Sequence, residues 1–276
     1  MPILAISSHV AVGHVGNAAA VPAMERLGHT VWRVDTVSLS NHPGHGAFTG
    51  SFRSPGELES LLQGIESHTG WQNLDGIYTG YMGDAGNPEM IAGFLKAART
   101  AKPDHLYLLD PVMGDHGKSF VKEGVEEAIK NQLLPLANII TPNLYELSRL
   151  SGKPVETLDQ MVEAAQSLLS HHLRSIVVTG IEEQETIASL LVEAEAAFVA
   201  RVPKLDRNFF GTGDLLAGLL LSHFLKKGDS VEALSKSLAA LDHATNTTVA
   251  AGKIDLALIP ALARIDQLHP IGIERL

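Results

Sequence analysis

Along the chain, short apolar runs alternate with longer segments of helical periodicity. Ile3 to Ser8 is an apolar run that stops at polar residues and predicts a buried strand. Val15 to Leu27 has helical content, and Gly28 stands at its end as a cap. His29 to Val37 carries Val31, Trp32, Val34 and Val37 and reads as a second strand. Ser40 to Gly50, rich in Gly, His and Pro, reads as a loop, and Pro55 to His68 as a helix with Pro in its first turn. Further strands are predicted at Gly76 to Gly80, His105 to Leu109, Ile139 to Ile140 and Ser175 to Thr179. Thr186 to Val192 and Ala196 to Val202 read as an adjacent, antiparallel pair. Helices are predicted over 88–99, 121–131, 143–150, 158–170, 213–226, 231–250 and 260–268. Strands alternating with helices imply a mostly parallel sheet covered on both faces, with ligands at the carboxyl ends of its strands. No repeat, low-complexity tract or linker divides the chain, so one α/β domain over residues 1–276 is the simplest organisation.

Composition narrows the function. The 276 residues are 45% hydrophobic and 19% charged, which fits a globular domain and excludes a disordered chain. There is no cysteine, which excludes disulfides, thiolate metal sites and a cysteine nucleophile. A formal charge of -10, from 21 basic and 31 acidic residues, argues against nucleic acid or an anionic membrane as partner. It leaves room for a small anion held by backbone N–H groups. The N-terminus lacks the basic region of a signal peptide, and the most apolar later stretch, Leu215 to Leu225, is too short to span a bilayer. A cytoplasmic location is the expectation.

Four segments carry chemistry. Gly211-Thr212-Gly213-Asp214 precedes an apolar helix, where glycines present several N–H groups to one anion and the helix N-terminus adds partial positive charge. A carboxylate beside such a nest can take a proton from an attacking hydroxyl, although Asp is equally favoured there as a helix cap. Asp110-Pro111-Val112-Met113-Gly114-Asp115 follows a strand and places two hard-oxygen ligands where ligands bind, or simply forms a turn. Asn143 and Glu146 in Thr141-Pro142-Asn143-Leu144-Tyr145-Glu146 share one helical face, and they also have the spacing of a capping box. Ser7 to Asn17 joins the first strand to the first helix through Gly13 and Gly16, without the Lys of a P-loop. Each segment alone has a bland explanation. Of the 13 histidines, none forms a zinc motif, and most are expected on the surface or in loops.

Together and in this order, the four resemble the ribokinase-like superfamily and, within it, the pyridoxal kinases. SSHVAVGHVGN at 7–17, SNHPGHGAFTG at 40–50 and TGYMG at 79–83 are the most family-specific parts; DPVMGD, TPNLYE and GTGD are shared more widely. The resemblance implies a three-layer αβα sandwich, a homodimer, and transfer of the ATP γ-phosphoryl to the 5′-hydroxymethyl group of pyridoxal, with pyridoxine and pyridoxamine as further substrates. It implies that Asp214 is the general base, with Gly211, Thr212 and Gly213 as the anion hole. Asp110, Asp115, Asn143, Glu146 and Thr179 would serve ATP. Asp115 and Glu146 would hold Mg2+, and Asp110 and Thr141 a monovalent cation such as K+. Ser8, Val15, Pro43, Gly44, His45 and Tyr81 would line the vitamer pocket. The chain departs from the family at Pro43 and His45, where Thr and Tyr are usual, so a hydroxyl donor toward the substrate is lost. The lid after Asp115 has no cysteine to react with the pyridoxal aldehyde. The rival expectations are a hydroxymethylpyrimidine kinase on the same scaffold and a B6-vitamer-binding protein without activity.

Overall fold

The computed structural model describes residues 1–227 and 229–276. In chain order, the elements are β1 (Pro2–Val10), α1 (Asn17–Arg26), β2 (Thr30–Leu39), β3 (Gly50–Phe52), α2 (Pro55–Thr69), β4 (Gly76–Thr79), α3 (Asn87–Ala101) and β5 (Leu106–Leu109). They continue with β6 (Gly114–Asp115), β7 (Lys118–Ser119), α4 (Val125–Ala128), β8 (Ile139–Ile140), α5 (Leu144–Ser151), α6 (Leu158–Gln166) and β9 (Ser175–Glu182). The chain ends with β10 (Thr186–Val192), β11 (Ala197–Pro203), α7 (Thr212–Lys227), α8 (Ser230–Ala250), α9 (Leu258–Leu262) and β12 (Ile273–Arg275). Among the described residues no helix is long and apolar enough to cross a membrane.

One sheet runs in the order β12-β11-β10-β9-β8-β5-β4-β1-β2-β3, and β6 and β7 form a separate small hairpin. The stretch from β9 through β8, β5, β4 and β1 to β2 is parallel throughout, while β3, β10, β11 and β12 join antiparallel at the two flanks. Side chains of the inner strands alternate between two cores, as a period of two requires. Leu4 and Ile6 of β1, Ile77 of β4 and Tyr107 and Leu109 of β5 pack with α2, α3, α5 and α6 on one face. Ile3 and Ala5, Tyr78 and Leu108 pack with α1, α7 and α8 on the other. The result is a three-layer αβα sandwich of the ribokinase-like kind.

Local chemistry sets the helix limits. Ser54 and Glu57 begin α2, Asn143 and Glu146 begin α5, and Thr157 and Gln160 begin α6, each as a reciprocal capping box. Between α1 and α7 the backbones approach so closely that a Cβ at Gly218 would lie 3.0 Å from the Ala20 backbone. Three expected helices are shorter than their periodicity suggested. The segment 121–131 begins only at Val125, because Gly124 adopts a left-handed conformation, and it loosens into a wider π turn over Ile129–Leu133. The segment 158–170 stops at Gln166, where the Ser167 hydroxyl turns back to donate to the Ala164 carbonyl. The segment 260–268 is the short α9 followed by a 3₁₀ turn. The loop at 40–50 is as expected, apart from one 3₁₀ turn at Pro43–His45 and a last residue that begins β3.

Candidate active site

The parallel register assembles the site. Ile6, Thr79, Leu109 and Ile140 stand side by side across β1, β4, β5 and β8. One step further along each strand come Ser7, Gly80, Asp110 and Thr141, still held by ladder hydrogen bonds from Gly80 to Ile6, Asp110 to Thr79 and Thr141 to Leu109. Four segments distant in sequence therefore end in one row at the carboxyl edge of the sheet.

Asp214 enters this row from the other side, in the first turn of α7. Burial raises its carboxyl above the usual carboxylate range, while the backbone N–H groups of Gly16 and of Asp214 itself, and the Tyr78 hydroxyl, oppose the rise. Tyr78 Oη donates to Asp214 Oδ1 at 3.3 Å. The fully buried Tyr78 is held well above its own usual value by desolvation and then by the Asp214 and Asp110 carboxylates, so it remains a neutral donor.

The two glycines of the nest differ. Gly211 has φ 84°, and a Cβ there would lie 1.9 Å from the His14 carbonyl oxygen. No other residue fits, because both its conformation and its contact exclude a side chain. At Gly213, which is exposed, a Cβ would meet nothing within 4 Å. The same packing recurs at Gly16, whose φ is 57° and whose Cβ would fall 2.1 Å from the Ser8 carbonyl oxygen. Thus the segment 8–16 is folded tightly against the nest.

Asp110 and Glu146 form the acidic side of the site. Asp110 is 6% exposed and Glu146 4%. Thr141 Oγ1 donates to Asp110 Oδ1 at 3.0 Å. Desolvation first, then the Glu146 and Asp214 carboxylates, push Asp110 well above the usual carboxylate range. Glu146 accepts from the backbone N–H of Met113 at 3.0 Å and of Asn143 at 2.8 Å, yet burial still pushes it up to about 8. Both carboxylates are thus buried at an energetic cost that a bound cation would offset. This donor set of hard oxygens fits a magnesium or alkali ion. Among the described residues, no three His, Asp or Glu side chains converge as a protein-only metal cage.

The remaining expected residues fall into three places. Asn143 donates through Nδ2 to the Gly114 carbonyl at 2.8 Å and pairs across the sheet edge with Thr179, so both adjoin Glu146. Asp115 is exposed on the β6–β7 hairpin, where its carboxylate accepts from the His116 backbone. It acts on Glu146 as a neighbouring charge. Val15 joins Val10, Val37 and Leu39 in a small apolar cluster against which Tyr81 packs, and Ser8 lies beside Gly16. Pro43, Gly44 and His45 form an exposed turn that reaches Phe210, the residue before Gly211.

Sequence reasoning missed Tyr78, Ser7, Phe210 and Asp255 at or beside the site. Ser7 is fully buried, and its Oγ accepts from the Tyr81 backbone N–H at 3.2 Å. A Cβ at Gly80 would lie 2.4 Å from that same oxygen, which is why a glycine follows β4. Apolar strand residues such as Tyr78 carry no sequence signal of a partner 136 positions away.

A family model described as phosphomethylpyrimidine kinase matches residues 59–258. The chain is 38% identical to pyridoxal kinase PdxY of Deinococcus radiodurans, over 99% of this chain and 96% of that protein. It is 36% identical to the PdxY of Rubrobacter xylanophilus, over 94% and 91%. Among solved structures, pyridoxal kinase from Entamoeba histolytica superposes with a TM-score of 0.93 at 26% identity, over 99% of both chains. The pyridoxal kinase from Leishmania donovani in complex with ADP and pyridoxamine gives 0.92 at 27%, over 100% of this chain and 99% of that one. With the site at the same sheet edge that the sequence motifs indicated, the chain belongs to the pyridoxal kinase branch of the phosphomethylpyrimidine kinase family.

Proposed function

We propose that this chain, acting as one kinase domain over residues 1–276, phosphorylates the 5′-hydroxymethyl group of pyridoxal at the expense of ATP. Pyridoxine and pyridoxamine, which share that alcohol, are substrates as well. The observation that carries the reading is the placement of Asp214: a desolvated, half-buried carboxylate in the first turn of α7, close enough to Asp110 and Tyr78 to act on both.

In the transfer, the vitamer hydroxyl oxygen attacks the γ-phosphorus as its proton passes to Asp214. The bond to the β-phosphate oxygen breaks and ADP leaves. Such transfer needs alignment and charge neutralisation more than covalent chemistry from the protein. The N–H groups of Gly211, Thr212 and Gly213 receive the moving phosphoryl at the positive end of α7. Burial brings the Asp214 carboxyl closer to the pH at which it works, which favours a general base. Ser8, Val15, Tyr81 and the turn at Pro43–His45 hold the pyridine ring. Asn143, Thr179, Asp110, Asp115 and Glu146 serve the nucleotide. Glu146 and Asp115 would hold magnesium, partly through water, and Asp110 with Thr141 an alkali cation such as K+. Bound there, the cations would neutralise phosphate charge. A cytoplasmic homodimer completes this reading.

The decisive variant is Asp214→Ala. It should keep the fold and nucleotide binding, and lose pyridoxal phosphorylation by roughly 10²–10⁴-fold. Retention of most of the turnover would remove Asp214 from the role of base. The second reading, a hydroxymethylpyrimidine kinase, is favoured by the description of the matching family model. That match begins at residue 59, after SSHVAVGHVGN and SNHPGHGAFTG, whereas the pyridoxal kinase relatives match these segments too. A competition assay between pyridoxal and hydroxymethylpyrimidine separates the two. Preference for the pyrimidine overturns the first.

A further inference from the structure

Above the carboxylate row, three loops meet in a cluster that phosphoryl transfer itself does not use. His45 Nε2 lies 2.9 Å from Asp255 Oδ1, although the two residues are 210 positions apart. Phe210 packs on both histidines of the turn, with ring centroids 4.2 Å from His42 and 5.1 Å from His45. Within the turn, a Cβ at Gly44 would lie 2.4 Å from Phe210 Cζ, so the ring sits directly on the glycine. On its far side the Asp255 carboxylate rests on Gly13, where a Cβ would approach Oδ1 to 2.8 Å. Asp255, in the connection from α8 to α9, therefore touches both segments that the sequence marked for the vitamer. Phe210 ties the same cluster to the nest, since Gly211 follows it directly.

We propose that Asp255 is a positioning residue for vitamer recognition, a role that rests on the kinase reading above. By holding His45 Nε2, its carboxylate fixes the turn against Phe210 and orients the imidazole. The ring's Nδ1 is then left for the polar substituents of a hydroxylated pyridine. An exposed ion pair alone contributes little. Here the pair is joined to a stack of three rings and to a glycine contact, so its loss frees the whole turn. A looser turn lowers the fraction of protein competent to bind, which raises the apparent KM without touching the chemical step.

The test compares Asp255→Ala, Asp255→Glu, His45→Ala and the double alanine variant. Steady-state kinetics are measured with pyridoxal and ATP, and hydrogen exchange is followed over residues 40–50. Asp255→Ala should raise the KM for pyridoxal about fivefold, with kcat and the KM for ATP within about twofold of the parent. Exchange over 40–50 should quicken. Asp255→Glu should restore most of the KM, and the double variant should be no worse than His45→Ala. An unchanged KM with unchanged exchange overturns the proposal. So does an equal rise in the KM for ATP, or effects of the two alanine substitutions that multiply independently. If the parent protein does not phosphorylate pyridoxal, it is the kinase reading that fails. Exchange then decides the clasp alone: faster exchange in Asp255→Ala upholds it and unchanged exchange refutes it.

Discussion

At the scale of single residues, one side chain often carries both a structural and a chemical task. Asn143 and Glu146 form the capping box of α5, and the same Glu146 is a buried carboxyl that acts on Asp110. The two explanations that compete in the sequence coexist in the fold, because a helix start at a strand's carboxyl end is itself where ligands bind. Histidines divide differently. Most of the 13 lie at or near the surface, but His29 and His105 are buried. His223 is half-buried beside Lys226 and Lys236, with its Nε2 lacking a hydrogen-bond partner among the described residues. Desolvation first, then those lysines, lower its pKa to about 4 from 6.5. Between these values the unfolded chain binds a proton that the folded chain refuses, so stability falls as pH drops from 6.5 towards 4. His223→Gln removes this loss. Urea unfolding at pH 7 and pH 4.5 should show the parent losing more stability than the variant, by on the order of 1–3 kcal/mol.

At the scale of elements, what the sequence revealed depended on how local each signal was. The central strands were legible because Ile3–Ile6 and Leu106–Leu109 are apolar on both faces, as strands buried between two helical layers must be. The pair β10 and β11 was legible as an antiparallel hairpin. The edge strands β3 and β12 and the hairpin β6–β7 were not, since Gly50–Phe52, Ile273–Arg275 and Gly114–Ser119 are too short for a period to register. Their pairing is decided by neighbours distant in sequence. Helix starts, by contrast, are written locally. Ser54 caps α2 through Glu57, and its own N–H and hydroxyl donate back to the Glu57 carboxylate at 2.8 and 2.7 Å. Both residues of this box are exposed. Ser54→Ala should therefore cost about 1 kcal/mol of stability by urea unfolding and leave kcat and KM unchanged. A loss of activity at full stability would instead tie α2 to the site.

At the scale of the whole molecule, the question is how a chain of net charge -10 binds a polyanion. The register supplies half of the answer. Parallel strands end together at one edge, and there the α7 N-terminus adds its own partial positive charge. That part was legible, because the motifs sat after apolar runs. The other half was not. Nothing in the spacing of Asp110, Glu146 and Asp214 revealed that burial would drive all three carboxyls upward together. On the proposed reading, carboxyls so placed would disfavour the phosphate chain until a cation stood between them. Binding of ATP should therefore depend on a divalent ion far more than its contacts with the N–H groups would suggest. Thermal unfolding with ATP checks this. At a ligand concentration near 100 times Kd, Mg·ATP should stabilise the fold by about 2.7 kcal/mol, a rise of roughly 5–10 °C in a chain of this size. ATP with chelator should give less than half of that shift. Glu146→Gln, which removes a carboxyl that a cation would draw into its charged form, should narrow the gap between the two conditions. An equal shift with chelator would mean that backbone N–H groups alone neutralise the nucleotide and that the buried carboxylates serve the fold rather than the cation.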